Sequence, residues 1–370
     1  MRGNNVLGII FPNVYDNVLS ELTALRSMGS VPFGGRYRLI DFPLSSMVSC
    51  GISKVGIITK SNYQSLMDHV GSGRAWDLSR KNGGIYIIPP FNTAGAGLHS
   101  SRMEALAGAM DFLRHCDEEY VLLTDCNTVC SIDLEKMFDA HFKNSADITV
   151  AYCRGASPNL SKWMGLKLDE SGRVTEAEII PQSDNVCSSM NIYFMRKSLL
   201  ERIVNDAVRL GRHDYERSLV IDNVSALRIF GYEETGFVRI IDGLNSYFDI
   251  NMSLLQKENR DKLFRGGTTV YTKVRDEVPA IYGLGSSVKN SLVTDGCVIE
   301  GKVENCILSH GVHIGKGASV KNCILMNNTY ISDGVELDCI IADKQVVIKP
   351  NKNLAGDPTY PIYIGKGIVI

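Results

Sequence analysis

Apolar and polar residues alternate along this chain in two distinct textures. Over roughly the first 250 residues, the short apolar runs Val6–Phe11, Val55–Thr59, Ile85–Pro89, Tyr120–Thr124 and Ile148–Cys153 recur between amphipathic stretches. Runs of that length, rich in β-branched residues, read as strands of a sheet covered on both faces. Between them Arg102–His115 and Leu134–Phe142 read as helices with one apolar face. The alternation predicts an α/β domain with a mostly parallel, Rossmann-like sheet, whose ligands belong at the carboxyl ends of the strands.

Near residue 280 the texture changes: charged helical segments give way to Gly, Val, Ile, Asn and Cys in a fixed order. VKNSLVTDGCVIEGK, VENCILSHGVHIGKGAS, VKNCILMNNTYISDGVE and LDCIIADKQVVIKP are four similar turns with a period of 15 to 17 residues. Val288, Val303, Val320 and Leu337 fall in register, as do Ser291, Cys306, Cys323 and Cys339, and Ile299, Ile314, Ile331 and Ile348. Short strands closing a coil, with β-branched residues inward and Gly or Asn at the corners, predict a left-handed parallel β-helix. The expected organisation is an α/β domain over 1–250, a helix and connector over 251–285, and the β-helix over 286–370.

Composition narrows the chemistry. A formal net charge of −2 over 370 residues gives no basic field for nucleic acid or anionic lipid. No apolar stretch approaches the ~20 residues of a membrane span. The start MRGNNVLGIIF has no positive n-region followed by a long apolar run. A cytoplasmic protein with reduced thiols is expected, so the ten cysteines read as buried or surface thiols. Cys126 and Cys130 have the closest spacing, but no second pair or nearby histidine completes a zinc set.

The segment VPFGGRYRLIDFPLSSMVSCGISKVGIITK at 31–60 resembles the ADP-glucose pyrophosphorylase (glucose-1-phosphate adenylyltransferase) family. HVGSGRAWDLSR at 69–80, SSMNIYFM at 188–195, YFDINMSLL at 247–255 and the terminal β-helix resemble it in the same order. The resemblance implies a nucleotidyltransferase fold, whose members join ATP and glucose 1-phosphate into ADP-glucose and pyrophosphate. Such catalysis needs a backbone cradle for the triphosphate, cations on the phosphates, and a metal.

At the positions matching those needs this chain departs from the family. The glycine-rich loop with its arginine reads PNVYDNVLSELTAL, with no glycine between Gly8 and Gly29 and no Lys or Arg between Arg2 and Arg26. Met28 and Gly29 replace a lysine and proline, and Cys126 and Asn127 replace the Gly-Asp whose carboxylate holds magnesium. Ile179, Ile180 and Pro181 replace the sugar-phosphate Glu-Lys-Pro, Asn191 replaces the glycine of SMGIY, and Arg-Gly-Thr-Ala-Asp-Ala becomes SSRMEA with Glu104 at the acidic position. A shifted alignment offers Asp125 to the metal, and Asp249 of YFDIN is either a second metal carboxylate or a strand-ending helix cap, followed by Asn251 at a glycine position.

The pattern implies a catalytically degenerate chain that needs no cofactor itself, with magnesium in a catalytic partner. It is similar to the second, regulatory subunit of the two-subunit enzymes of Gram-positive bacteria. A catalytic paralogue in a hetero-oligomer, a tetramer by expectation, is the implied partner. The alternatives are a weakly active sugar-phosphate nucleotidyltransferase using Asp125 and Asp249, or a β-helix acyltransferase using His310 or His313, residues that also suit exposed corners. Arg36, Arg38 and Arg74 read either as an anion site for an allosteric sugar phosphate or as a solvated rim.

Overall fold

The structure, a computed structural model, describes residues 3–90, 101–155, 158, 160, 163–180, 187–266 and 268–370. Pro181, and Ser100 of SSRMEA, lie outside the described residues. A nine-stranded sheet forms the N-terminal domain. From one edge it runs Gly84–Ile88, Lys54–Ile58, Val6–Phe11, Tyr120–Asp125 and Cys187–Arg196, then on to Met164–Leu168 and Val174–Ile179; Ile148–Cys153 also pairs with Cys187–Arg196 and carries Ile229–Glu233. The first four strands are mutually parallel, and Cys187–Arg196 and Val174–Ile179 run against their neighbours. The mostly parallel sheet is therefore as expected, with an antiparallel strand inside it.

The central strands Val6–Phe11 and Tyr120–Asp125 are buried along their whole length, which is why they read as continuous apolar runs. The stretch Arg102–His115 is not one helix: it forms Arg102–Gly108 and Met110–Arg114, interrupted at Ala109 (φ −93°, ψ 5°). Among the described residues no helix is long and apolar enough to cross a membrane. All ten cysteines are free and buried.

The C-terminal part is a left-handed parallel β-helix, and two of the three aligned columns found in the sequence are its ladders; the third holds for Ser291, Cys306 and Cys323, but Ile340 takes its fourth place and Cys339 falls opposite Asn322, at the corner. Val288, Val303, Val320 and Leu337 pair in register, and so do Ile299, Ile314, Ile331 and Ile348. Each of its three sheets has five strands, so the coil has one turn more than the four legible repeats and starts at Ile281, inside the expected connector. Asn290, Asn305 and Asn322 turn its corners at φ 42°, 52° and 47°. Asn tolerates that left-handed region better than other side chains. The Asn290 and Asn305 amides each donate to the next asparagine of the column, at 2.8 and 3.3 Å, and the Asn322 amide donates to Asp338, one residue before the corner at Cys339, at 2.8 Å.

The two parts share one apolar core, in which Ile324, Met326 and Ile341 of the β-helix join Leu22, Phe33 and Leu254. The turn at 33–36 packs directly on the coil. A Cβ on Gly35 (φ +82°) would stand 3.1 Å from Thr294 and 3.4 Å from Ile307, so both the conformation and the space call for glycine. The Arg26 guanidinium pairs with Asp343 at 2.8 Å, both almost wholly buried, and fastens the segment after the first strand to the β-helix.

Candidate functional site

The carboxyl ends of Val6–Phe11 and Lys54–Ile58 open onto a half-open cavity of about 220 Å³, lined among others by Phe11, Thr59, Lys60, Ser101, Arg102 and Glu216. This is where a parallel sheet presents its ligand. At its floor lies a buried ionic triad. Arg102 donates to Asp125 at 2.6 Å and to Glu216, and its guanidinium covers the Tyr215 ring at 4.2 Å. Burial pushes the Asp125 carboxyl up to about 7 against the pull of Arg102. The arginine is held charged by its two carboxylates against the cost of burial.

Beside the triad the polar network continues. The Asn191 amide donates to the Tyr15 hydroxyl at 2.7 Å and accepts from the Tyr193 hydroxyl at 3.1 Å. Asn191 has φ +55° at a register shift in its strand, so the position needs a left-handed backbone, which Asn supplies nearly as glycine would. The loss at Asn191 is thus a filled space and not a broken backbone.

The loop after the first strand folds as the short helical pieces Asp16–Leu19, Ser20–Thr23 and Met28–Ser30. Its own carboxylate organises it: Asp16 accepts from the Met28 N–H at 2.7 Å and from the Asn13 amide at 2.7 Å. Burial pushes the Asp16 carboxyl up to about 6. A backbone donor of this loop is therefore spent on an internal anion, and Leu19, Leu22 and Met28 point into the core. A Cβ on Gly29 would stand 2.9 Å from the Pro12 side chain, so the one glycine here packs the loop closed.

The other candidates scatter. Asn127 is 1% exposed, with its backbone carbonyl accepting from Ile241 N–H at 2.8 Å. Ile180 is 50% exposed with φ +52°, a strained conformation for a β-branched residue. Glu104 pairs with His213 at 2.8 Å. Asp249 does not end a strand: it lies inside the helix Leu244–Ser253 on an exposed position, so the cap reading is corrected. Asn251 is fully buried and accepts from Gly34 N–H at 2.8 Å, tying this helix to the 33–36 turn.

Magnesium does not suit this donor set. Asp125 is taken by a guanidinium, Asn127 is neutral, and among the described residues no three His, Cys, Asp or Glu side chains converge on a cation.

A second concentration of charge lies where the 32–38 turn, the connector and the β-helix meet. Arg36, Arg38, Lys273, Arg275, His310 and Lys344 line one narrow crevice. Burial lowers Arg38 to about 10. Arg74 sits exposed on the turn Arg74–Trp76 and is not among the crevice's lining residues. His310 faces this crevice, while His313 stacks on Tyr330 with ring centroids 4.3 Å apart.

A family model described as nucleotidyl transferase matches residues 17–226, and one described as GlmU-like, C-terminal hexapeptide, matches residues 281–360. The chain belongs to the nucleotidyl transferase family. Within it, the chain is 36% identical to the glycogen biosynthesis protein GlgD of Bacillus subtilis (strain 168), over 100% of this chain and 98% of that one. It is 36% identical to GlgD of Geobacillus stearothermophilus, covering 99% and 97% of the two chains. It is also 31% identical to the glucose-1-phosphate adenylyltransferase of Thermosipho africanus (strain TCF52B), covering 85% and 78%.

Sequence reasoning on this chain missed Arg102, Glu216 and Tyr15. One signal was on hand: an arginine within SSRMEA, at the threonine position of the family's motif. Lys273, Arg275 and Lys344 carried none, being ordinary surface residues until three segments fold together.

Proposed function

We propose that this chain is the regulatory, catalytically degenerate subunit of a glucose-1-phosphate adenylyltransferase in glycogen biosynthesis, acting on a catalytic paralogue in a hetero-oligomer. The observation that carries the proposal is the Arg102 guanidinium set between Asp125 and Glu216 at the strand ends. Phosphoryl-transfer catalysis asks for cations that meet developing phosphate charge. Here the buried cation is already neutralised twice, and the loop that would cradle phosphates is closed on Asp16. Magnesium belongs to the partner's site under this proposal, and the crevice holding Arg36 and Arg38 is the place for an anionic effector such as a sugar phosphate.

The test is reconstitution. Alone, with ATP, glucose 1-phosphate and magnesium, the chain is expected to form no measurable ADP-glucose. Co-expressed with a catalytic paralogue it should give a mixed oligomer, a tetramer by expectation, with higher activity or an altered effector response. Arg36→Ala should weaken that response and leave assembly intact. Turnover by the chain alone in the ~1–100 per second range, or no mixed species on sizing, would overturn the proposal.

A further inference from the structure

The crevice between the 32–38 turn, the connector and the β-helix is lined by Arg36, Arg38, Lys273, Arg275 and Lys344, with no carboxylate among its described lining residues. The carboxylates next to Arg38 and Lys344, Asp41 and Asp343, are already paired. Asp41 is paired with His69 at 2.6 Å and accepts the Arg38 N–H at 2.9 Å. Asp343 takes two bonds from Arg26 at 2.8 and 2.9 Å, the Tyr363 hydroxyl at 3.0 Å and the Lys344 N–H at 2.7 Å. Lys273 gives its amine to the Asp68 carbonyl at 2.6 Å. The Lys344 amine makes no hydrogen bond or ion pair among the described residues, although it is half-buried in the lining.

We infer that an oxyanion entering this crevice takes up a proton as it binds, and that the proton is held on the Lys344 amine. The inference rests on the anion reading proposed above and adds its coupling to pH. Without an anion, the amine faces Arg38, Arg26 and Arg275, and its carboxylate neighbour Asp343 is already bound to Arg26. Burial first, then Arg38 and Arg26, brings Lys344 down to about 7, with Asp343 pulling the other way. Part of the population is therefore neutral near pH 7 before any ligand arrives. An oxyanion placed among these cations reverses the local charge, raises the amine's affinity for a proton, and draws one from solvent; no covalent bond changes.

The other titratable groups facing the crevice act in a different window. His310 is lowered by burial and then by Arg275, with Asp295 and Glu277 opposing and Arg36 adding to the lowering. His69 is lowered by burial, with Asp41 opposing and Arg38 and Lys273 adding. Both imidazoles are neutral at pH 7 and charge only at more acid pH. Above that range the proton belongs to Lys344.

Sulfate is the suitable probe, because its charge is constant where phosphate's is not. Calorimetric titration of the full chain, in buffers with different heats of ionisation, should show uptake of up to about one proton per sulfate near pH 7.5. Affinity should fall by up to about tenfold per pH unit above about pH 7. Lys344→Arg fixes the charge and should bind sulfate with little slope between about pH 7 and 8.5, whereas Lys344→Met should bind weakly with the same flatness. Circular dichroism and thermal melts confirm that both variants fold. Sulfate binding without proton uptake, or a slope that persists in Lys344→Arg, would overturn the proton linkage and leave the anion site standing. No sulfate binding at about pH 6.5 would overturn the anion reading itself.

Discussion

Replacing Arg102 by Met tests whether the triad is a structural unit at the strand ends. Met keeps most of the side chain's length and apolar stem, so the main loss is charge. Asp125 and Glu216, 4% and 2% exposed, would be left buried without a counter-ion. Removing one partner of such a buried pair costs about 3–5 kcal/mol, and the lost contact with the Tyr215 ring adds to it. At about 2–4 °C per kcal/mol for a domain of this size, melting of the N-terminal domain should fall by roughly 10 °C at pH 7.5. The pH dependence carries a sign. Loss of the guanidinium raises the folded-state Asp125 carboxyl further above its unfolded value near ~4. Between those values the folded state binds more protons than the unfolded one, so the variant's stability falls as pH rises through the window and returns on acidification. Urea unfolding of wild type and variant at pH 7.5 and about 5.5 reads the difference directly, and the triple variant Arg102→Met with Asp125→Asn and Glu216→Gln should recover most of it. A variant within about 1 kcal/mol of wild type at pH 7.5, or a deficit that does not shrink in acid, would refute the triad's structural role.

Arg26→Met leaves Asp343 buried beside Tyr363 and should cost about 3–5 kcal/mol in urea unfolding; a change under about 1 kcal/mol would show the pair to be incidental. Ile180→Gly should raise stability by about 0.5–1 kcal/mol, the reverse of the usual effect, because Ile180 holds φ +52° while half exposed. A loss of comparable size would mean that the Ile180 side chain packs on a neighbour.

The fold was legible where repetition or uninterrupted burial writes it into neighbouring residues. Val303, Val320 and Leu337 announce their ladder because each coil must place an inward residue at the same step. The fifth turn was hidden, since GDPTYP separates Asn353–Ala355 from Ile362–Ile364 and breaks the period. Cys187–Arg196 is buried along nine of its ten residues yet mixes Ser, Asn and Tyr with its apolar positions, because the network around Asn191 lies inside the sheet. The site was legible only as a set of absences. Its positive content is nonlocal: Arg102 meets Glu216 across 114 positions of chain, and no local pattern announces such a pair.

The loop after the first strand and the basic crevice belong to one physical connection. Asp16 closes the loop by taking the Met28 N–H, and a few residues back along the same loop Arg26 reaches out of it to Asp343. Asp343 in turn accepts the N–H of Lys344, whose amine lines the crevice. Under the proposal above, an anion that recharges Lys344 acts next to a carboxylate that Arg26 already holds, and the strength of that pair changes with it. A regulatory signal needs differential contacts between two states and a rigid element to carry them. The loop closed on Asp16, packed by Leu19, Leu22 and Met28 and pinned through Arg26, is such an element. With no glycine between Gly8 and Gly29, the loop has the stiffness such an element needs.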